Sequence, residues 1–274
     1  MPDIHTIEEA WKRAAKARRW VVKIGTSVLT DAGKLQVSRH CVQAVAKEIS
    51  VLWENGKEVI LVTSGAIGIG MGVLELKSRP SELAKLQAAA AVGQGKLMQW
   101  YTSRMEEDRF HAAQVLLTRG DLEDRQRRLN VKATLETLLA ARIIPIINEN
   151  DTVSTEEIRY GDNDLLSAHV ATLVGADLLL LLTDVDQVVG PGGPLDLVKE
   201  ITPELEKAAR GTEKPSSAGG MRSKLEAARI ALSHGVLTAV MSGRGQEGSI
   251  GLAGLAAGTG TPQRGTWFIP SEKR

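Results

Sequence analysis

The feature that most constrains the fold is a set of short segments that are apolar at nearly every position. Leu178–Leu182 is the purest of them, and Val59–Val62 and Ile143–Ile147 have the same character. A strand that is apolar throughout, rather than at alternate positions, is buried on both of its faces. Such strands form parallel sheets that are covered by helices on each side. The pattern therefore predicts an α/β fold, a three-layer αβα sandwich around a mostly parallel sheet.

Segments with strand and helix patterns alternate along the whole chain. The predicted strands are residues 20–24, 59–63, 112–118, 143–147, 178–183, 236–242 and 266–269, and the predicted helices lie within 38–56, 81–108, 124–141, 165–174, 203–210 and 221–234. No connection between them is long enough to separate two globules. We expect one domain over residues 20–274, preceded by a helical extension over residues 1–19 that begins at a capping box of Thr6 and Glu9.

Composition excludes several classes of protein. The net charge of +1 excludes nucleic-acid binding by bulk charge, and an aromatic content of 3% is too low for base stacking. Because Cys41 is the one cysteine, a disulfide framework and a cysteine-rich zinc site are excluded. Even the longest purely apolar runs, such as Leu178–Leu182, are too short to span a membrane, and no signal-peptide pattern opens the chain. We expect a cytoplasmic protein that binds neither nucleic acid nor membrane.

The residues that follow the predicted strands are candidates for a binding site, because ligands bind beyond the carboxyl ends of the strands in such a sheet. Lys23 ends the first strand beside Gly25, and a buried lysine is costly unless it meets an anion. The alternative is a lysine stem that reaches solvent. Ser64 and Gly65 follow the second strand, where their amides can approach a carboxylate or phosphate. A helix cap and a tight turn explain these two residues without a ligand.

Two polar clusters flank the irregular segment after the fourth predicted strand. Asn148–Asp151 precedes that segment and Gly161–Asp164 follows it. Ordinary turn chemistry explains a glycine and one Asp or Asn, but not two such clusters. Two uses remain open: hydrogen bonds to an amino-acid-like substrate, or the orientation of lysines and a metal. The spacing of an EF-hand calcium loop is absent.

Two later segments have the same kind of chemistry. Thr183 and Asp184 follow the fifth strand, where an aspartate can face a nucleotide or cap the next turn. Gly219–Lys224 is a glycine loop that enters a helix, so its free amides favour a phosphate, although a flexible loop before an ordinary helix is the alternative. The Walker A, G-x-S-x-G, H-E-x-x-H and protein-kinase motifs are absent. The glycines of Gly65–Gly70, after the second strand, do not have the spacing of the G-x-G-x-x-G dinucleotide fingerprint.

Taken together, these segments resemble the amino acid kinase family, and within it the members that phosphorylate glutamate. The matching stretches fall in the family's order and cover nearly the whole chain; they are Val22–Ser27, Val62–Ile67, Leu116–Arg119, Pro145–Asp151, Gly161–Asp164 and Gly219–Met221. The resemblance implies the carbamate kinase-like form of the αβα fold. It also implies phosphorylation of the side-chain carboxylate of L-glutamate by ATP, with Mg²⁺, to give L-glutamyl 5-phosphate in the first step of proline synthesis.

The resemblance also implies roles for individual residues. The catalytic residues that it implies are Lys23, Lys224, Asp162 and Asp164. The substrate contacts that it implies are Ser64, Gly65, Asp151 and Asn163. The ATP contacts that it implies are Lys23, Gly25, Thr183, Asp184, Gly219, Gly220, Met221 and Lys224. No side chain is implied as a direct metal ligand. The N-terminal part of the domain is expected to bind the substrate and the C-terminal part the nucleotide.

Two departures from the family pattern affect these expectations. Ala218 stands where many members have a hydroxyl residue, so one nucleotide contact is expected to be missing. Many bacterial members continue into a C-terminal PUA domain, whereas this chain stops soon after Pro270, so we expect a form without that domain. The resemblance further implies a homo-oligomer, a dimer or tetramer, and feedback inhibition by proline.

Two alternative functions remain open at this point. One is a related kinase that acts on another small carboxylate or phosphate. The other is an amino-acid sensor on the same fold that does not catalyse a reaction. The presence of both lysines, Lys23 and Lys224, together with Asp162 and Asp164, argues against a sensor, which has no need of them.

Overall fold

A computed structural model of the chain describes residues 4–31, 36–154, 163–210, 220–244, 251–259 and 264–271. Its helices are α1 (Ile7–Lys16), α2 (Arg39–Glu54), α3 (Ala66–Val73), α4 (Leu83–Glu107), α5 (Arg119–Glu123), α6 (Arg125–Ala140), α7 (Asn163–Leu173), α8 (Pro203–Arg210), α9 (Met221–Ser233) and α10 (Leu252–Ala257), with a 3-10 turn over Thr26–Val28. Its strands are β1 (Arg19–Ile24), β2 (Glu58–Val62), β3 (His111–Leu117), β4 (Ile143–Glu149), β5 (Leu178–Thr183), β6 (Val189–Gly190), β7 (Gly193–Pro194), β8 (Leu197–Val198), β9 (Leu237–Ser242) and β10 (Gly265–Phe268). None of the described helices is both long and apolar enough to cross a membrane.

Eight strands of the described chain form one sheet, in the order β3-β4-β2-β1-β5-β9-β10-β8. Every neighbouring pair is parallel except β9 and β10, which are antiparallel. The predicted mostly parallel sheet is therefore confirmed. In this register Lys23 of β1 lies opposite Val62 of β2 on one side and Leu181 of β5 on the other. The carboxyl ends of these three strands consequently meet at one point of the sheet edge.

Burial along the strands follows their place in the sheet. All six residues of β5 are buried, and β1 is buried from Trp20 onward, because both strands are central and have helices on each face. Strand β3 is at one edge, and most of its residues are partly or fully exposed. The continuously apolar segments in the sequence are thus the central strands.

Helices α3 and α4 cross so closely that glycine is required at the contact. A side chain at Gly70 would collide with the carbonyl oxygen of Ala89, and one at Gly93 would collide with that of Ala66. The sequence allows a ligand-binding turn or the start of a helix after β2, and the structure has a helix there, α3. Its packing on α4 outweighs the low helix preference of its glycines. The crossing holds the start of α3 against the middle of α4.

Helix α1 begins at the predicted capping box. Thr6 Oγ1 accepts from the Glu9 amide (3.2 Å), and Glu9 Oε2 accepts from the Thr6 amide (3.0 Å). The helix buries Trp11 against Trp267 of β10, with the ring centroids 6.5 Å apart and the rings nearly perpendicular. Lys57 Nζ donates to the Ala17 carbonyl (2.8 Å), just past the end of the helix. Helix α1 therefore packs into the same hydrophobic core as the sheet.

Candidate active site

Three buried charged side chains meet beyond the carboxyl end of β1. Asp164, in the first turn of α7, is fully buried. Its Oδ1 lies 2.5 Å from Nζ of Lys23 on β1, and its Oδ2 lies 3.0 Å from Nζ of Lys224 on α9. Ser223 Oγ also donates to Asp164 Oδ2 (2.7 Å). We call Lys23, Asp164 and Lys224 the ionic cluster; it joins three elements that are distant in sequence.

The electrostatics of the ionic cluster keep it charged. Burial alone raises the pKa of a carboxyl group, but Lys23, Lys224 and Ser223 hold the pKa of Asp164 well below its ordinary value. The carboxylate in turn compensates the cost of burying two ammonium groups. Both lysines are thereby held at one place, on two sides of one carboxylate. An anion that enters beside them meets two cations whose positions are already fixed.

The N-terminus of α9 lies next to Lys224. Gly220 is the cap residue, Met221 opens the helix, and no side chain of the described residues caps it. The first amides of a 13-residue helix are therefore available to a phosphate, and Lys224 is one turn further in. Asp162 and Gly219, two predicted site residues, lie outside the described residues.

Asn163, the residue before Asp164, is almost fully buried and takes part in a separate set of contacts. Its Nδ2 lies within hydrogen-bond distance of three acceptors that share its two hydrogens: the Thr63 carbonyl (2.8 Å), Ser64 Oγ (2.9 Å) and Asn148 Oδ1 (3.0 Å). Its Oδ1 is buried and has no hydrogen-bond partner among the described residues. A buried acceptor without a donor is costly, so this oxygen marks a place where a ligand can donate.

Ser64 and Gly65 form the turn between β2 and α3. Gly65 has φ of 102°, a conformation that favours glycine, and a side chain there would also crowd Val37. Gly65 rather than Ser64 is the cap residue of α3, and no side chain caps the helix. The Ser64 hydroxyl faces Asn163 instead. The alternative in which Ser64 serves as a helix cap is therefore wrong.

Asp151 lies in the turn after β4 and is partly buried. Burial raises the pKa of Asp151 to about 6, against an opposing effect of the Arg79 guanidinium. No donor among the described residues forms a hydrogen bond to this carboxylate. A poorly solvated carboxylate of this kind is stabilised by a ligand that brings a positive charge.

The remaining predicted residues lie along the ends of β1 and β5. The Gly25 amide donates to the Leu182 carbonyl (3.1 Å), and a Cβ atom at Gly25 would lie 3.7 Å from Lys23 Nζ. Thr183 ends β5, and its Oγ1 donates to Asp184 Oδ1 (3.2 Å). Gly25 and Thr183 therefore lie at the same edge of the sheet as the ionic cluster.

Three residues near these groups have no individual role in the sequence analysis. Ser223, which binds the Asp164 carboxylate, and Asn148, which binds Asn163, lie in segments that the sequence analysis singles out. Gln94, which is buried against Asn148, lies in none of them. The sequence does indicate that Gln94 is buried, because Ala90 and Leu97, which lie one turn before and after it on the same helix face, are apolar. Helical spacing cannot show which polar group such a residue meets.

The profile of the amino acid kinase family matches residues 18–241. The chain belongs to the amino acid kinase family, as the motifs predict. Over 95% of its length it is 47% identical to the glutamate 5-kinase of Moorella thermoacetica and covers 69% of that protein. It is 44% identical to the glutamate 5-kinase of Sinorhizobium fredii, where it covers 65% of the relative. The chain thus spans about two thirds of the length of these relatives.

Solved structures show the same fold at much lower identity. Carbamate kinase from Giardia lamblia bound to AMP-PNP is 17% identical, with a TM-score of 0.61 over 94% of this chain and all of that chain. A second structure of the Giardia carbamate kinase has a TM-score of 0.64 at 16% identity, over 93% of this chain and all of that one. This likeness shows the fold alone, and it confirms the predicted carbamate kinase-like sandwich.

Proposed function

We propose that this chain transfers a phosphoryl group from ATP to the side-chain carboxylate of L-glutamate, giving L-glutamyl 5-phosphate in the first step of proline synthesis. The observation that carries the proposal is the start of α7. There Asp164 holds two lysines that suit a phosphoryl group, and Asn163 next to it leaves a buried acceptor that suits an amino acid. Relatives named glutamate 5-kinase, at 42–47% identity, support the choice of substrate.

The substrate's amino end fits two groups that lack a donor. Asn163 Oδ1 accepts one hydrogen bond from the ammonium group, and the carboxylate of Asp151 supplies the opposite charge. The α-carboxylate is placed at Ser64 and Gly65, where a helix begins with open amides. This arrangement assigns Ser64, Gly65, Asp151 and Asn163 to the substrate and turns its side chain toward the ionic cluster.

The transfer step requires charge neutralisation more than acid–base chemistry. The substrate carboxylate has a pKa of about 4, so it is already ionised and needs no general base. One of its oxygens forms a bond to the γ-phosphorus, the bond from that phosphorus to the β–γ bridging oxygen breaks, and ADP leaves. Lys23 and Lys224 stabilise the charge on the phosphoryl oxygens, while Asp164 positions both. We assign Asp162 the same positioning role.

The nucleotide is placed on the C-terminal side of the cluster. Its phosphates meet the N-terminus of α9 at Gly219, Gly220 and Met221, and the rest of ATP contacts Gly25, Thr183 and Asp184.

The described residues contain no group of three His, Cys, Asp or Glu side chains that could hold a metal ion, and both oxygens of Asp164 already face donors. A side-chain cage for Mg²⁺ does not fit them, so we assign Mg²⁺ to the ATP phosphates.

Four expectations from the family remain part of this proposal. They are a cytoplasmic location, a homo-oligomeric assembly, inhibition by proline, and a division of the domain into a substrate-binding N-terminal part and a nucleotide-binding C-terminal part. Proline has the same ammonium and α-carboxylate groups as glutamate, so it can compete for Asp151 and Asn163. A titration with proline at fixed glutamate measures that competition.

The test is an ADP-release assay with ATP and L-glutamate, in which hydroxylamine traps the acyl phosphate as a hydroxamate. We expect ADP release that depends on glutamate, with equal amounts of hydroxamate. Lys224→Ala is expected to lower turnover about 10²–10³-fold because one of the two ammonium groups is lost. Lys96→Ala, at an exposed lysine, is the control and is expected to leave turnover unchanged.

Two results would overturn the proposal. Turnover with another small carboxylate or phosphate, but not with glutamate, would favour a related kinase. Binding of glutamate without any ADP release would favour the sensor. Near-normal turnover in Lys224→Ala would remove that residue from the catalytic set.

A further inference from the structure

Four side-chain amides form a continuous line from the sheet edge to the start of α7. Gln94 Nε2 donates to Gln114 Oε1 (3.3 Å), and Gln114 is exposed on the edge strand β3. Asn148 Nδ2 donates to Gln94 Oε1 (2.8 Å), and Asn163 Nδ2 donates to Asn148 Oδ1 (3.0 Å). We call these four residues the amide chain. Gln94, Asn148 and Asn163 are each at least 92% buried.

We propose that Gln94 is a positioning residue for the amino-acid substrate. It acts through Asn148 on Asn163, so that Asn163 keeps its unoccupied oxygen turned toward the ligand. This inference rests on the proposed function, because it assumes that Asn163 Oδ1 receives the substrate's ammonium group.

Two backbone groups determine the direction of every hydrogen bond in the amide chain. The Thr63 carbonyl can only accept, so the nitrogen of Asn163 must face it (2.8 Å). The Glu149 amide can only donate, so the oxygen of Asn148 must face it (2.9 Å). The nitrogen of Asn148 is therefore directed away from both backbone groups. It points to Gln94, which must present an acceptor.

Asn148 cannot compensate for the loss of that acceptor by rotating its amide. A rotation by 180° would place its NH₂ group against the Glu149 amide and the Asn163 NH₂ group, which are both donors. Without Gln94 Oε1, Asn148 either keeps a buried donor unsatisfied or leaves its position. In both cases Asn163 loses one of the three acceptors around its Nδ2, and its side chain is then held less rigidly, by the Thr63 carbonyl and Ser64 Oγ alone.

The experiment measures steady-state kinetics of Gln94→Met, which conserves volume and removes the strong acceptor. We expect the KM for L-glutamate to rise about tenfold, with kcat and the KM for ATP changed by less than about twofold, because the cost falls on substrate placement alone. Gln94→Glu restores an acceptor. One oxygen of the new carboxylate accepts from Asn148 Nδ2, and the other accepts from the NH₂ group of Gln114 once the Gln114 side-chain amide has rotated by 180°. We expect Gln94→Glu to return the KM for glutamate to within about threefold of the parent value.

Two controls separate positioning from general damage. Gln99→Met makes the same substitution at an exposed site on α4 and is expected to leave all three constants unchanged. In an Asn163→Ala background, Gln94→Met is expected to change the KM for glutamate by less than about twofold. The reason is that Gln94 acts through Asn163, so the effects of the two substitutions do not add. If Gln94→Met does not fold, Gln94→Asn, which keeps the amide but is one methylene shorter, has the same expected effect.

The outcomes distinguish this inference from the proposed function. If the parent protein shows no glutamate-dependent ADP release, the proposed function fails. If the parent is active but the KM for glutamate in Gln94→Met is unchanged, the positioning role is wrong. It is also wrong if kcat and both KM values change together, or if Gln94→Glu is as impaired as Gln94→Met.

Discussion

The first two residues of α7 enter two clusters of opposite physical character. Asp164 joins the ionic cluster, whose charges come from β1 and α9, and Asn163 joins the amide chain, whose members come from α4, β3 and β4. The ionic cluster is held by attraction between full charges, and it weakens sharply if one of them is lost. The amide chain has no net charge, and the Thr63 carbonyl and the Glu149 amide fix its direction.

The difference suits the two halves of the proposed reaction. A phosphoryl group carries charge that must be neutralised, so cations already fixed in place are the useful feature. An amino acid must be oriented, and a line of hydrogen bonds with one allowed direction provides orientation without adding charge. One helix start thus aligns a charge-stabilising site with an orienting site.

The largest expected effect follows from removing the central charge of the ionic cluster. Asp164→Asn leaves two buried ammonium groups without their carboxylate, so we expect the free energy of unfolding to fall by about 3–5 kcal/mol. Asn163→Ala, one residue away, removes only neutral hydrogen bonds and is expected to cost about 1–3 kcal/mol. Urea unfolding of both variants measures the difference. Equal losses would contradict the distinction between the two clusters.

A second prediction concerns the pH dependence of substrate binding. Burial raises the pKa of Asp151 to about 6, so in the free protein this carboxyl group becomes protonated as the pH falls below that value. Protonation removes the charge that meets the substrate's ammonium, so kcat/KM for glutamate is expected to fall about tenfold per pH unit below the pKa. The profile between pH 5 and 8 tests this. Asp151→Asn should have a low kcat/KM without that inflection, and an unchanged inflection would assign it to another group.

The smallest expected effect concerns the neutral partner of the ionic cluster. Ser223→Ala removes one hydrogen bond to Asp164 Oδ2 but leaves both lysines in place. We expect kcat to fall about fivefold, with the KM for glutamate unchanged, because about 1 kcal/mol of positioning is lost. Ser233→Ala, at an exposed serine at the end of the same helix, is the matched control. A change in the KM for glutamate instead of kcat would place Ser223 on the substrate side.

Most of the fold could be predicted because its main strands and helices have strong local patterns. The strand predicted over 178–183 is β5 as observed, and the helix predicted within 81–108 is α4 to within two residues at each end. Three short helices were missed. The sequence of α3 contains several glycines, α5 has only five residues, and α10 has six, so these form through packing rather than local preference.

The candidate site was predicted in part. Lys23, Asp164 and Lys224 were identified from their family motifs, and the structure brings all three together. Asp162 and Gly219 stay predictions. Gln94 was missed, because a glutamine in a helix gives no sign of its partner until Asn148, 54 residues further along the chain, is placed beside it.

The sequence by itself determined which segments form the central strands, because burial on both faces requires apolar residues at every position. It also determined the family, since the motifs are local and occur in a fixed order. Only the tertiary structure decided which polar side chains meet, because contacts such as those of Asp164 with Lys23 and Lys224 depend on the strand order and the helix crossings. The direction of the amide chain was also decided by the tertiary structure, because it depends on the Thr63 carbonyl and the Glu149 amide lying against the chain.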